Sequence, residues 1–265
     1  MPTAAVNGLS IYFERAGAGE PLLFISGTGG DLRNKPNQFD GPFPKVFDMI
    51  SYDQRGLGRS DKPDAPYSMA DYADDAAALM ASQGWARANV VGVSFGGMVA
   101  QELVLRHPGR VRRLVLACTS PGGAGGASFP FHEIEHLKGE ARAKYLTPIS
   151  DTRRDMAWAK ANPEAYAKAI ALAAADPFAD EPGHAQGAHR QLEARAGHDT
   201  WDRLGQIKAP TLVAGGRYDR IAPPQTLERL ASQIPGAELR FFEGGHLFMI
   251  QDRTATPAMV EFLLG

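Results

Sequence analysis

The sequence predicts an α/β protein built on a mostly parallel sheet. Short apolar runs rich in β-branched residues recur along the chain, and stretches with helical spacing lie between several of them. One run, VVGV, enters such a stretch directly through a serine hemmed in by glycines, VVGVSFGGMVAQ (90–101). Short continuous apolar runs suit strands buried on both faces. Their alternation with helices implies parallel neighbours joined by right-handed crossovers.

The elements follow in order. TAAV, then Asn7-Gly8, then LSIYFERAG reads as a hairpin, because both turn residues tolerate positive φ. Buried strands are expected at PLLFISG (21–27), KVFDMISYD (45–53), ANVVGV (88–93), RRLVLACT (112–119) and PTLVAGG (210–216). AELRFF (237–242) is a weaker strand. MADYADDAAALMASQGW (69–85) carries Tyr72, Ala76, Leu79 and Met80 at helical spacing, with Gly84 closing it. FGGMVAQELVLRHPG (95–109) reads as a helix ending at Pro108-Gly109, and TLERLASQI as one stopping before Pro235. After 112–119 comes the glycine-rich SPGGAGGASFPF, then an alanine-rich, helical block without strand signal until 210. Residues 1–120 and 206–265 are therefore expected to form the core, and 121–205 a helical cap inserted on one edge. The glycines in 122–126 are candidates for a hinge.

Composition narrows the function. The 265 residues allow one large buried core. A net charge of −2 gives no basic footprint for nucleic acid and no charged block for a membrane surface. No apolar run approaches the roughly 18–20 residues of a spanning helix, and the start lacks the features of a secretion signal. Cys118 is the single cysteine, which excludes an intramolecular disulfide. These features lead us to expect a soluble, cytoplasmic protein.

The serine motif is G-x-S-x-G between a strand and a helix. There the turn is tight enough to strain the serine backbone and leave its hydroxyl free at the carboxyl end of the sheet. Gly92 and Gly96 occupy places where a side chain would strike a neighbouring helix or strand, and Gly97 eases helix–strand packing. A serine needs a base within hydrogen-bond reach, itself held by an acid. His246, in FFEGGHLFM, follows the last strand, and Asp219, in AGGRYDRIAPP, follows the preceding one. Both lie where open α/β sheets place their sites. The histidines at 107, 132, 136, 184, 189 and 198 sit in helical or cap-like sequence, and Asp199 and Asp202 precede the strand. A tetrahedral oxyanion needs two donors. The Phe95 N–H at the helix start is one. The Thr28 N–H in SGTGGD is the other, with Gly27 letting the chain turn. A phosphate cradle fails on spacing, since G-x-G-x-x-G from Gly27 would need glycine at Leu32.

These residues resemble the α/β-hydrolase superfamily, in particular its small esterase, lactonase and C–C hydrolase members. The resemblance runs through the hairpin, SGTGG, SYDQRGLGRSDKP (51–63), GVSFGG, VRRLVLACT, APTLVAGGRYDRIAPP and EGGH, nearly the whole chain. It implies an eight-stranded, mostly parallel sheet with flanking helices, a helical cap after the sixth strand, and no cofactor. It also implies Ser94 as nucleophile, His246 as base, Asp219 as acid, and Thr28 and Phe95 as oxyanion donors. SYDQRGLGRSDKP resembles a family turn that serves structure more than chemistry. One departure is that the oxyanion loop begins Ser26-Gly27 where the family has His-Gly, so the bonds that shape it are expected to differ.

Val93 and Leu247 stand where C–C hydrolases carry asparagine and tryptophan, which favours ester or lactone hydrolysis. C–C cleavage, cofactor-free haloperoxidase chemistry and a slow-turnover ligand receptor are the alternatives. The expected partner is a small-molecule ester or lactone, with the chain a monomer or homodimer.

His132-Glu133-Ile134-Glu135-His136 matches the H-E-x-x-H zinc pattern and extends to Gly139, but the third ligand position is Arg142, a permanent cation. We therefore expect no metal and read the segment as a solvated cap helix. Apolar cap residues Phe129, Phe131, Met156, Trp158, Tyr166 and Trp201, with Leu247 and Phe248, suggest an apolar pocket. Gly27, Phe129, Trp158 and Leu247 are the substrate-binding candidates. Arg33, Lys35 and Arg217 flank the expected site, where they could hold a substrate carboxylate, but ordinary surface charge is the simpler reading of each.

Overall fold

A computed structural model describes residues 2–265. The strands are β1 (Thr3–Val6), β2 (Leu9–Ala16), β3 (Glu20–Ile25), β4 (Phe47–Tyr52), β5 (Ala88–Val93), β6 (Val111–Ala117), β7 (Thr211–Gly216) and β8 (Glu238–Phe242). They form one eight-stranded sheet in the order β1-β2-β4-β3-β5-β6-β7-β8. The β1–β2 and β2–β4 pairs are antiparallel and all others parallel. Asn7 and Gly8 both take positive φ, 50° and 80°, as the hairpin reading requires.

The helices are α1 (Met69–Ser82), α2 (Phe95–Arg106), α3 (Gly139–Ser150), α4 (Met156–Ala161), α5 (Pro163–Ala174), α6 (His184–Ala196), α7 (Pro224–Gln233), α8 (Phe248–Gln251) and α9 (Ala255–Leu264). α1 starts on a capping box between Ser68 and Asp71, and Gly84, at φ 75°, lies just past its end. The continuous apolar strands are explained by two core layers. Leu23 and Ile25 of β3 and Val90 of β5 face α1 and α2, whereas Leu22, Phe24 and Val91 face α9. Both sides of the sheet are thus out of water, at roughly 1.5–3 kcal/mol per large side chain.

Between β6 and β7 the chain forms α3–α6 and short 3-10 turns, with no strand. The ends of this segment are sewn together: Thr200 N–H donates to the Pro121 carbonyl at 2.8 Å, and Gly122 bridges Asp199. The glycines at 122–126 are closely fitted here. A Cβ on Gly122 would strike the backbone of His198, one on Gly123 the carboxylate of Asp199, and one on Gly125 the ring of Trp201. The packing thus lacks the freedom expected of a hinge. HEIEH also differs from the expected helix: Phe131–Ile134 is a 3-10 turn. No helix among the described residues is long and apolar enough to cross a membrane.

Candidate active site

β5 runs into α2 through Ser94, whose φ of 55° and ψ of −116° are the strained backbone a tight strand–helix turn demands. The glycines make the turn sterically possible. A Cβ on Gly92 would enter the Gly96 carbonyl and lie 2.8 Å from the Ala100 methyl group. One on Gly96 would strike the Ile25 carbonyl of β3, and one on Gly97 would lie 2.6 Å from Thr119 Cβ. Ser94 N–H donates to the Ala117 carbonyl at 2.8 Å, and Thr119 Oγ1 donates to the Ser94 carbonyl at 2.8 Å. The residue is held from both sides, and its Oγ is left to act.

His246 follows β8 and Asp219 follows β7, so three strand ends converge on one edge of the sheet. His246 Nε2 is 2.9 Å from Ser94 Oγ, and His246 Nδ1 is 2.7 Å from Asp219 Oδ2. With its proton on Nδ1, the imidazole donates to Asp219 and accepts from the serine hydroxyl. Asp219 is 2% exposed, and its Oδ1 accepts the N–H groups of Ile221 and Ala222 at 2.7 and 3.1 Å. These bonds fix the carboxylate's orientation and stabilise its charge.

The loop after β3 passes against Ser94. A Cβ on Gly27 would lie 3.4 Å from Ser94 Cβ, which is ordinary van der Waals contact. The left-handed residue in this loop is Gly29, at φ 70°, so the expected turning role of Gly27 belongs to Gly29. The N–H groups of Thr28 and Phe95 donate to no acceptor among the described residues, as an oxyanion site requires. The unusual Ser26 is held by Gln54, whose Nε2 donates to the Ser26 carbonyl at 2.9 Å. The neighbouring Asp53 accepts Leu32 N–H at 2.7 Å and Arg59 N–H at 2.9 Å. The 51–63 turn therefore braces both ends of this loop.

The helical segment also reaches the site, through residues the sequence did not single out. The end of α3 lies between the Asp219 and His246 loops: Arg220 N–H donates to the Ile149 carbonyl at 3.0 Å, and His246 N–H to the Ser150 carbonyl at 2.6 Å. Gly245 must be small here, because a Cβ would strike the Ser150 carbonyl and lie 2.7 Å from Asp151 Cα. From α6, Gln191 Oε1 accepts Gly29 N–H at 2.8 Å, and Arg195 Nη1 donates to Thr28 Oγ1 at 3.0 Å. Gln191 and Arg195 are one helical turn apart and grip adjacent residues of the loop. The only local signal was that four-residue spacing, which many solvated helices share.

Among the candidate binding residues, Phe129 is edge-on to Phe131 at 5.3 Å and lines a cavity of about 70 Å³ with Arg195. Leu247, beside His246, is half-exposed. Trp158 departs from expectation. It packs on Tyr166 at 6.4 Å and on the Arg154 guanidinium at 5.6 Å, and it does not line the cavity. Arg33 is occupied by Asp31 and Glu181. Arg217 pairs with Glu243 at 3.4 Å, and Lys35 stands 5.9 Å from the Phe39 ring. In the HEIEH turn, Glu135 engages His189 at 2.9 Å. No group of three His, Cys, Asp or Glu side chains converges as metal ligands among the described residues.

Residues 20–252 match the family model described as alpha/beta hydrolase fold. A poly(3-hydroxyalkanoate) depolymerase of Ectopseudomonas oleovorans is 30% identical over 259 residues, covering 92% of this chain and 84% of the relative. A 2-hydroxymuconate semialdehyde hydrolase of Pseudomonas sp. strain CF600 is 31% identical over 263 residues, covering 96% and 89%. Among solved structures, the enol-lactonase of Burkholderia xenovorans LB400 superposes with a TM-score of 0.81 at 27% identity, covering all of both chains.

Proposed function

The chain is a hydrolytic enzyme of the α/β-hydrolase fold family, and from that premise we propose that it cleaves carboxylic esters or lactones of small molecules through an acyl-enzyme on Ser94. The observation that carries this reading is the unbroken relay from Ser94 Oγ through His246 to buried Asp219, at 2.9 and 2.7 Å. Ser94 attacks the acyl carbon as His246 Nε2 takes its proton. The oxyanion lies on the Thr28 and Phe95 N–H groups. His246 returns the proton to the departing alcohol or lactone ring oxygen, and then activates the water that releases the acid. Residues 121–205 act as a cap over this edge. The relatives that act on a polyester and an enol lactone favour this bond class, as do Val93 and Leu247 in place of the asparagine and tryptophan of C–C hydrolases.

The test is fluorophosphonate labelling read by intact mass, with and without a chelator, followed by an ester and lactone panel. One adduct on Ser94, insensitive to chelator and lost in His246→Ala, is expected. Ser94→Ala should lower kcat on the order of 10⁴-fold or more. No adduct, or unchanged turnover in Ser94→Ala, overturns the reading.

A further inference from the structure

Arg195 is 6% exposed, yet no carboxylate pairs with it among the described residues. Its contacts are neutral: Thr28 Oγ1 at 3.0 Å, Ser128 Oγ at 2.6 Å and the Phe129 carbonyl at 3.4 Å. Phe131 lies under the guanidinium at 4.6 Å. The nearby carboxylate of Asp219 is already committed to His246, Ile221 and Ala222. Burial pushes the guanidinium down to about 10, so it remains a cation at neutral pH. A buried charge without a counter-charge is expensive, and folds keep such charges paired or use them.

The cation opens on a space shaped for a ligand. Arg195 lines the cavity of about 70 Å³, together with Ser128, Ser120, His198 and Phe129. A single water needs on the order of 15 Å³ of such space, so a carboxylate fits. Two buried polar groups in its wall have no partner, Ser120 Oγ and His198 Nδ1. The Ser128 hydroxyl accepts from Arg195, which leaves its own hydrogen to donate. The cavity wall thus holds a guanidinium and two serine residues, one of them with an unpartnered hydroxyl, and Arg195 links it through Thr28 to the loop after β3.

We propose that Arg195, Ser128 and Ser120 form a recognition site for a carboxylate carried by the substrate, so that the preferred esters or lactones are anionic. This rests on the reading of Ser94 as nucleophile. Planar, forked donation is what a guanidinium offers a carboxylate. The sequence hid this residue because Arg33, Lys35 and Arg217 stand nearer the motifs; of these, Arg33 and Arg217 are paired with carboxylates.

The test compares 4-nitrophenyl hydrogen glutarate with neutral 4-nitrophenyl pentanoate. The wild type should favour the anionic ester. In Arg195→Met, kcat/KM for the anionic ester should fall about 100-fold, through KM, and at least 30-fold further than for the neutral ester. Arg195→Lys should restore part of that difference, and Ser128→Ala should show a smaller loss of the same kind. Equal losses on both esters through kcat would make Arg195 only a strut for Thr28 and overturn the proposal, as would a wild type indifferent to the charge. A binding measurement separates this outcome from failure of the nucleophile reading. Glutarate should raise Tm in wild type and in Ser94→Ala but not in Arg195→Met, and glutaramide should do so in none. Absence of fluorophosphonate labelling with the glutarate shift intact would sink the acyl-enzyme reading and with it the substrate preference, leaving carboxylate binding, whereas labelling without the glutarate shift would sink the carboxylate site alone.

Discussion

The turn around Ser94 joins strand, serine and helix within a few residues, with Gly92 and Gly96 fitted against backbone and Gly97 against the Thr119 side chain. α6 reaches the same site across the chain: Gln191 and Gly29 are 162 positions apart, and Arg195 and Thr28 are 167. The first region carries the Ser94 hydroxyl and the Phe95 N–H, one of the two oxyanion donors we propose. The second grips the loop that carries Thr28, the other. The comparison teaches that Ser94 and Phe95 sit on one short turn wedged against the neighbouring strands, whereas the loop facing them is held by a helix from far along the chain.

The contrast can be broken most severely at the turn. Gly96→Ala drives a methyl group into the Ile25 carbonyl, a backbone atom that cannot swing away. We expect a loss of about 4 kcal/mol or more in urea unfolding, and wild-type stability would refute the steric account of the motif.

The second region is sharpened by acid. His198 ends the α6 stretch, and burial pushes its imidazole down to about 4 from 6.5, against weaker opposing pulls from Glu102 and the Ser120 carbonyl. Its folded pKa is depressed, so the unfolded chain binds the extra proton between those values. The stability it contributes is therefore complete above pH 6.5 and lost as pH falls toward 4, by at most about 3 kcal/mol. His198→Asn should flatten the difference between urea midpoints measured at pH 7.5 and pH 4.5. An unchanged difference would place the acid sensitivity elsewhere.

Gln191→Ala removes the acceptor for Gly29 N–H without touching Ser94. It should lower kcat about tenfold with little change in KM, the pattern of a misaligned oxyanion donor. Fluorophosphonate labelling should slow in parallel. The smallest effect is expected at Trp158, which packs on Tyr166 and Arg154 away from the cavity. Trp158→Ala should change kcat/KM less than about twofold. A large loss would mean that α4 closes over the substrate.

Much of this molecule was determined by sequence alone. The parallel strands were legible because a sheet covered on both faces requires continuous apolar runs. Ser94, His246 and Asp219 were legible because each follows a strand, in glycine-rich turns that only certain residues can make. Tertiary structure decided the rest. Gly29, not Gly27, carries the left-handed turn, since the path of the loop depends on Gln54 and Asp53 arriving from the next strand end. HEIEH does not form the helix its spacing allowed, and Trp158 faces its own neighbours. Arg195 looks like any other cation on an amphipathic helix until folding strips away its water and brings no carboxylate in return. Desolvation and partnership are properties of a packed neighbourhood, and no local pattern of residues contains them.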